Sequence, residues 1–113
     1  MVNNIDATLA ALADPTRRQV IDLLKIKPRR AGELNSQFTI SGPAMSRHLR
    51  VLREAGLIEE QRDASDNRAR VFQLRAEPFA EMQEWLQAVE GFWSDQLQTL
   101  KALAEQRFAE KYE

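Results

Sequence analysis

The sequence predicts a mostly α fold with one β-hairpin (α+β), in the order helix-helix-helix-helix-strand-strand-helix. Three observations carry this expectation. Residues 41–56 form an amphipathic helix with both ends marked by capping residues. Residues 57–75 hold two alternating runs joined by a polar tip. Residues 78–109 repeat apolar side chains every three or four positions, over far more length than a small core requires.

In chain order, Ile5, Leu9 and Leu12 mark a short amphipathic helix that closes near Ala13. Asp14-Pro15 then caps and opens a second helix, whose buried face is Val20, Ile21, Leu23 and Leu24, and Lys27-Pro28-Arg29-Arg30 ends it. Ala31 to Phe38 reads as a third short helix, followed by a tight turn at Thr39-Ile40. Ser41 is an N-cap, Gly42-Pro43 suit a first turn whose N–H groups lack partners, and Gly56 can take the left-handed C-terminal position. At about 100° per residue, Met45, Leu49 and Leu52 form one inward stripe, while Pro43, Arg47 and Arg50 face out with Ser46 on their shoulder. Leu57 to Asp63 and Ala69 to Arg75 alternate as strands around the tip Ala64-Ser-Asp-Asn67. Glu77-Pro78 breaks the second strand. From Phe79 to Phe108 runs one helix with Met82, Trp85, Leu86, Val89, Phe92, Trp93, Leu97, Leu100 and Leu103 in its apolar stripe. Gly91 interrupts it at about 1 kcal/mol relative to alanine, a place for a kink or a close approach. A helix-turn-helix (31–56) followed at once by a hairpin wing (57–75) is a winged helix-turn-helix, here one domain over 1–113 with a C-terminal helix at 78–109.

A helix with a core-anchored back, small residues at its tip and arginines outside is built to enter a DNA groove. Arg47 leads the candidates, either paired bidentately with guanine O6 and N7 or clamped on a phosphate. Arg50, one turn on, favours the backbone. Ser41 and Ser46 can donate to phosphates or bases, and Ser41 alternatively serves only as a cap. His48, the single histidine, lies about 60° from the inward stripe, so it is either packed against a backbone carbonyl or touches DNA. Arg68 and Arg70 flank the wing tip and suit the minor groove or phosphates, whereas Arg62 is expected to pair with Glu59, Glu60 or Asp63. Arg17 and Arg18 are expected to be solvated, with Arg29 and Arg30 the better candidates for flanking phosphates.

The final helix suggests a second partner. Some 30 helical residues span roughly 45 Å, more than a domain of this size can cover. Leaving Trp85, Val89, Phe92, Trp93, Leu97 and Leu100 in water is unfavourable by about 25 cal/mol per Å². They are expected to pair with a second copy of the chain, Leu9 of the first helix packing alongside, while Phe79, Met82 and Leu86 cover the hairpin. A ligand pocket lined by the tryptophans is the alternative.

Composition agrees with a nucleic-acid partner only after charge is resolved along the chain. The net charge is −1, yet residues 14–75 carry 13 Lys/Arg against 8 Asp/Glu, and residues 76–113 carry 3 against 8. That split suggests a basic DNA-facing body and an acidic element held away. With 113 residues and 43% hydrophobic content, one modest core is expected, helped by a partner subunit. There is no cysteine, hence no disulfide or thiolate metal site. No run of about 18 apolar residues exists and Met-Val-Asn-Asn-Ile-Asp lacks a basic-then-apolar leader, so a cytoplasmic protein is expected. No nucleophile motif or Gly-rich phosphate loop points to an enzyme.

Ala11-Leu-Ala-Asp-Pro-Thr-Arg-Arg18, Ile21-Asp-Leu-Leu24, Gly32-Glu-Leu34 and Ser46-Arg-His-Leu-Arg-Val-Leu-Arg-Glu-Ala-Gly-Leu-Ile58 strongly resemble the ArsR/SmtB family of winged-helix repressors. The resemblance covers roughly residues 5 to 95. It implies a homodimeric bacterial repressor that binds double-stranded operator DNA and sits on the nucleoid when bound, with its own promoter, and so autoregulation, as one candidate operator. The family often has glutamine after the serine cap, whereas this chain has Gly42, which leaves a backbone N–H as the contact there. The family's thiolate site falls near Gly32 to Ser36, where this chain has no cysteine, and its other site needs a histidine that the last helix lacks. The resemblance therefore implies the metal-independent branch, with no cofactor and no metal effector. Two other readings use the same fold: an activator that displaces a silencer, and a winged helix used only for protein docking.

Overall fold

The computed structural model describes residues 4–112, apart from the side chain of Asn67. The reading of Met1 to Asn3 as lacking a leader falls outside them. The chain forms two compact units, meeting in sequence between Glu81 and Met82. The elements are α1 (Ile5–Leu12), α2 (Pro15–Ile26), β1 (Arg29–Arg30), α3 (Ala31–Asn35), α4 (Gly42–Glu54), β2 (Ile58–Asp63), β3 (Asp66–Leu74) and α5 (Glu77–Tyr112).

The first unit is built on local signals that satisfy helix ends. Asp14 caps α2, its carboxylate accepting from Arg17 N at 3.1 Å, and Pro15 opens the helix where no N–H is needed. Ser41 caps α4, its Oγ accepting from Ala44 N at 3.2 Å. The other end of α4 closes as a Schellman motif. Leu57 N donates to Leu52 O at 3.0 Å and Gly56 N to Arg53 O at 3.0 Å, with Gly56 at φ 79°. These caps deliver Leu57 and Ile58 into the core beside Met45, Leu49 and Leu52 of α4. Ala11 of α1, Val20, Ile21 and Leu24 of α2, Leu34 of α3 and Phe72 of β3 complete that core, with Phe38, Ile40, Leu74 and Phe79 packed at its margin.

The structure departs from the sequence expectation in four places. Arg29-Arg30, expected only to end α2, form β1 and pair antiparallel with Phe72 and Val71, giving a three-stranded sheet in the order β1-β3-β2. α3 stops at Asn35 instead of Phe38, and residues 36–40 make the turn, held down by the half-buried Phe38 and Ile40. In the wing only Ala64 and Ser65 turn. Arg62 pairs with Arg70 and Asp63 with Asp66, so Arg68 lies in a stretch of β3 that the β2 register skips. Finally, Pro78 lies within the first turn of α5 and the helix continues to Tyr112, passing Gly91 without interruption; proline is tolerated there because first-turn N–H groups have no intrahelical acceptor.

The second unit is the rest of α5, none of whose residues is buried. Phe92 and Trp93 stack edge to face at 5.3 Å between centroids, and Phe108 and Tyr112 lie 4.6 Å apart.

Gly56→Ala tests the cap. The added Cβ would meet only Pro78 Cγ, at 3.9 Å, so the penalty comes from the left-handed backbone rather than from a clash. Urea denaturation is expected to show a loss of about 1 kcal/mol with an unchanged m value.

Candidate nucleic-acid interface

Burial of Met45, Leu49 and Leu52 leaves one face of α4 to solvent, and it carries Ser41, Gly42, Ser46, Arg47 and Arg50, all exposed. Ser41 spends a lone pair on its cap, which leaves its O–H free to donate. A Cβ at Gly42 would meet nothing within 4 Å, so the tip of the helix is open. Ser46 and Arg50 also border a cleft against the sheet, lined by Glu60 and Phe72. In the wing, Arg62, Arg68 and Arg70 are exposed.

What distinguishes these arginines is the lack of an internal partner. Among the described residues, the side chains of Arg47, Arg50, Arg62, Arg68 and Arg70 form no hydrogen bond or ion pair. Of the acids near the wing, Asp66 accepts from the Arg68 N–H at 3.0 Å and the others are committed elsewhere. Glu60 takes Arg53 at 2.9 Å. Glu59 accepts from Gln73 Nε2 at 2.7 Å and lies 3.9 Å from Arg75. Asp63 takes Arg30 at 2.9 Å. Arg62 was expected to pair with these acids and does not. It stands directly opposite Arg70 across the strands, a like-charge pairing that disfavours the free protein and suits a polyanion. No periodicity marks Arg62; the only signal was the excess of arginine over available acid in residues 62–70.

Other arginines, by contrast, hold the fold. Arg17 and Arg18, expected to be solvated, satisfy the end of α1: Arg17 Nε donates to Ala11 O at 2.6 Å and Arg18 Nη1 to Leu12 O at 2.7 Å. Four carbonyls at a helix end lack internal partners, and a cation is favoured beside them. Arg29 and Arg30, expected near phosphates, are also engaged: Arg29 Nε donates to Leu23 O at 3.3 Å, and Arg30 grips Asp63 through Nε and Nη2. His48 is half-buried and turned from the outer face of α4, its Nδ1 3.3 Å from Arg17 Nη1.

Electrostatics separate the two acids that matter structurally. Burial alone would raise Asp14, but N–H donors from Arg17 and Thr16, with the Arg17 charge, hold it below the ordinary carboxylate value. Asp63 is lowered to about 2 by the Ser65 N–H, then by the Arg30 guanidinium and the Ser65 hydroxyl.

The apolar candidates lie bare. Leu9 of α1 is 42% exposed, and on α5 Trp85 is 45%, Trp93 58% and Leu97 and Leu100 each 63% exposed, with Phe92 similar and Val89 half-buried. Leu86, expected to be covered, is exposed as well, while Phe79 packs on the core as expected. Phe108 and Tyr112 extend the exposed apolar residues of the helix beyond the predicted stripe.

Residues 14–60 match the family described as "Bacterial regulatory protein, arsR family". The transcriptional repressor SdpR of Bacillus subtilis is 41% identical over 61 residues, 54% of this chain and 64% of SdpR, so the match spans just under two thirds of that protein. The HTH-type transcriptional regulator Rv2034 of Mycobacterium tuberculosis is 35% identical over 92 residues, covering 77% of this chain and 83% of Rv2034. Among solved structures, the ArsR family transcriptional regulator RHA00566 superposes with a TM-score of 0.72 at 30% identity, over 80% of this chain and 97% of that one.

Asp63 makes stability depend on acid. Because its folded pKa lies below the ordinary 3.8, its contribution is complete above about pH 4 and is lost as pH falls toward about 2. Asp63→Asn is expected to lower the thermal midpoint at pH 6, with the gap to wild type closing between about pH 4 and 2. A gap that stays constant on acidification contradicts this assignment.

Proposed function

Because the chain belongs to the ArsR family of bacterial regulatory proteins and carries a DNA-binding winged helix, we propose that it works as a homodimeric repressor that occludes an operator. The observation that carries this reading is that the side chains of Arg47, Arg50, Arg62, Arg68 and Arg70, on α4 and the wing, form no hydrogen bond or ion pair among the described residues. α4 enters the major groove, Arg47 reads a guanine edge, and Arg50 takes the adjacent backbone. The Ser41 hydroxyl, the Gly42 N–H and Ser46 position the helix tip. Arg68 and Arg70, joined by Arg62, grip the wing's phosphates or enter the minor groove, while His48 supports α4 from its inner flank.

A second copy explains the bare apolar stripe. Pairing of α5 with its symmetry mate through Trp85, Val89, Phe92, Trp93, Leu97 and Leu100, with Leu9 alongside, removes that surface from water and makes 1–113 one functional domain. The dimer then spaces two α4 helices about 34–36 Å apart on a near-palindromic site and blocks polymerase. That SdpR is a repressor supports repression over activation. With no cysteine in the chain and no histidine in α5, this reading invokes no metal effector. Action in the bacterial cytoplasm follows from the same reading.

The experiment is a binding titration on duplexes selected from random sequence. Arg47→Ala is expected to weaken the selected site by about one to two orders of magnitude and relax preference at one base pair. Arg68→Ala with Arg70→Ala is expected to weaken all sequences alike and to flatten the log–log salt slope by about 2. Equal binding by wild type and Arg47→Ala would overturn the assignment of α4. By analytical ultracentrifugation at micromolar concentration, wild type is expected at the mass of two chains and Trp93→Glu at one; a wild-type monomer contradicts the dimer.

A further inference from the structure

Arg17 reaches in two directions from the first turn of α2. Its Nε donates to Ala11 O at 2.6 Å, a carbonyl that α1 leaves open at its end, and its Nη2 to Ala10 O at 3.3 Å, which also accepts from Ala13 N. Its Nη1 lies 3.3 Å from His48 Nδ1, in the middle of α4. A guanidinium only donates, so Nδ1 is the acceptor and the imidazole carries its proton on Nε2. Asp14 Oδ2 stands 4.0 Å from the same Nη1, and the Arg17 side chain is only 17% exposed, so the bonds to Ala11 O and His48 Nδ1 are partly shielded from competing water. One cation thus joins the end of α1, the cap of α2 and the flank of α4.

We propose that Arg17 is a positioning residue for DNA recognition, holding α4 through His48 at a set rotation against the end of α1. This rests on the reading of α4 as the DNA-facing helix. The stripe Met45, Leu49, Leu52 sets which side of α4 faces in, but apolar contacts are non-directional and leave the helix some freedom about its axis. A hydrogen bond placed about 60° off that stripe removes it, which matters because base readout demands placement to within about half an ångström. α1 also carries Leu9, the residue proposed to meet the second subunit. The same guanidinium therefore links the helix facing a partner copy with the helix facing DNA.

The test measures operator affinity for His48→Ala, His48→Asn, His48→Lys, Arg17→Ala and the double alanine variant, each at a temperature where thermal unfolding shows it folded. His48→Ala is expected to weaken binding about fivefold, the effect of one lost hydrogen bond. His48→Asn, whose Oδ1 takes the place of Nδ1 as acceptor, should regain most of that loss. His48→Lys should bind no better than His48→Ala, although it adds a positive charge beside DNA. The double variant should be no weaker than Arg17→Ala alone. Wild-type affinity in His48→Ala, tighter binding by His48→Lys, or additive losses in the double variant would each overturn the proposal. Should Arg17→Ala fail to fold, the His48 series decides alone. Arg47→Ala run in parallel separates the two readings: if it alone destroys specific binding, only the positioning role falls, and if it too has no effect, the DNA-facing assignment of α4 falls with it.

Discussion

The arrangement depends first on the burial of one stripe of α4. Met45, Leu49 and Leu52 are 2%, 4% and 0% exposed. Side chains at these steps lie on one face of a helix, so burying them dictates what the opposite face presents. Each aliphatic side chain contributes about 1.5–3 kcal/mol by leaving water, far more than any exposed arginine gains from a surface ion pair. The core therefore decides the orientation and the arginines accept it. Ser41 and Gly56 fix where the helix starts and stops, so its exposed tip and the entry into β2 follow from the same stripe.

Within that frame the arginines divide by available partners. Arg17 and Arg18 close α1, Arg30 joins β1 to Asp63 of β2, Arg53 ties Glu60 of β2 to α4, and Arg75 lies against Glu59 and Glu77. Arg47 and Arg50 of α4 and Arg62, Arg68 and Arg70 of the wing are left over. A like-charged pair such as Arg62 and Arg70 is mildly unfavourable in the free protein and becomes useful only when a polyanion arrives. Overall charge is a poor guide to such a surface: the chain is slightly acidic as a whole, while its winged helix is basic.

The features legible in the sequence were those set by neighbours three or four residues apart. Asp14-Pro15, Ser41-Gly42-Pro43 and Gly56 specify their helix ends locally, and the stripe of α4 follows from its period. The wing was legible through alternation, but its register was not, because the skipped residues of β3 have no counterpart in any periodic pattern. β1 was invisible for a related reason: two residues carry no period, and their partners Val71 and Phe72 lie far along the chain. The partners of Arg17, Arg30 and Arg62 were not legible because several arginines compete for few acids and carbonyls. Only three-dimensional distance settles that competition. His48 was left between packing and DNA for the same reason, its partner being 31 positions away.

The central claim is that a guanidinium freed by this packing reads a base. The most direct measurement replaces each guanine of the selected operator in turn with 7-deazaguanine, which lacks the N7 acceptor, and titrates wild type and Arg47→Ala against every duplex. The account predicts one position in each half-site where the replacement weakens wild type and leaves Arg47→Ala unchanged. If every replacement affects both proteins equally, Arg47 does not read a guanine through N7, and the assignment of this face of α4 to base recognition through Arg47 is wrong.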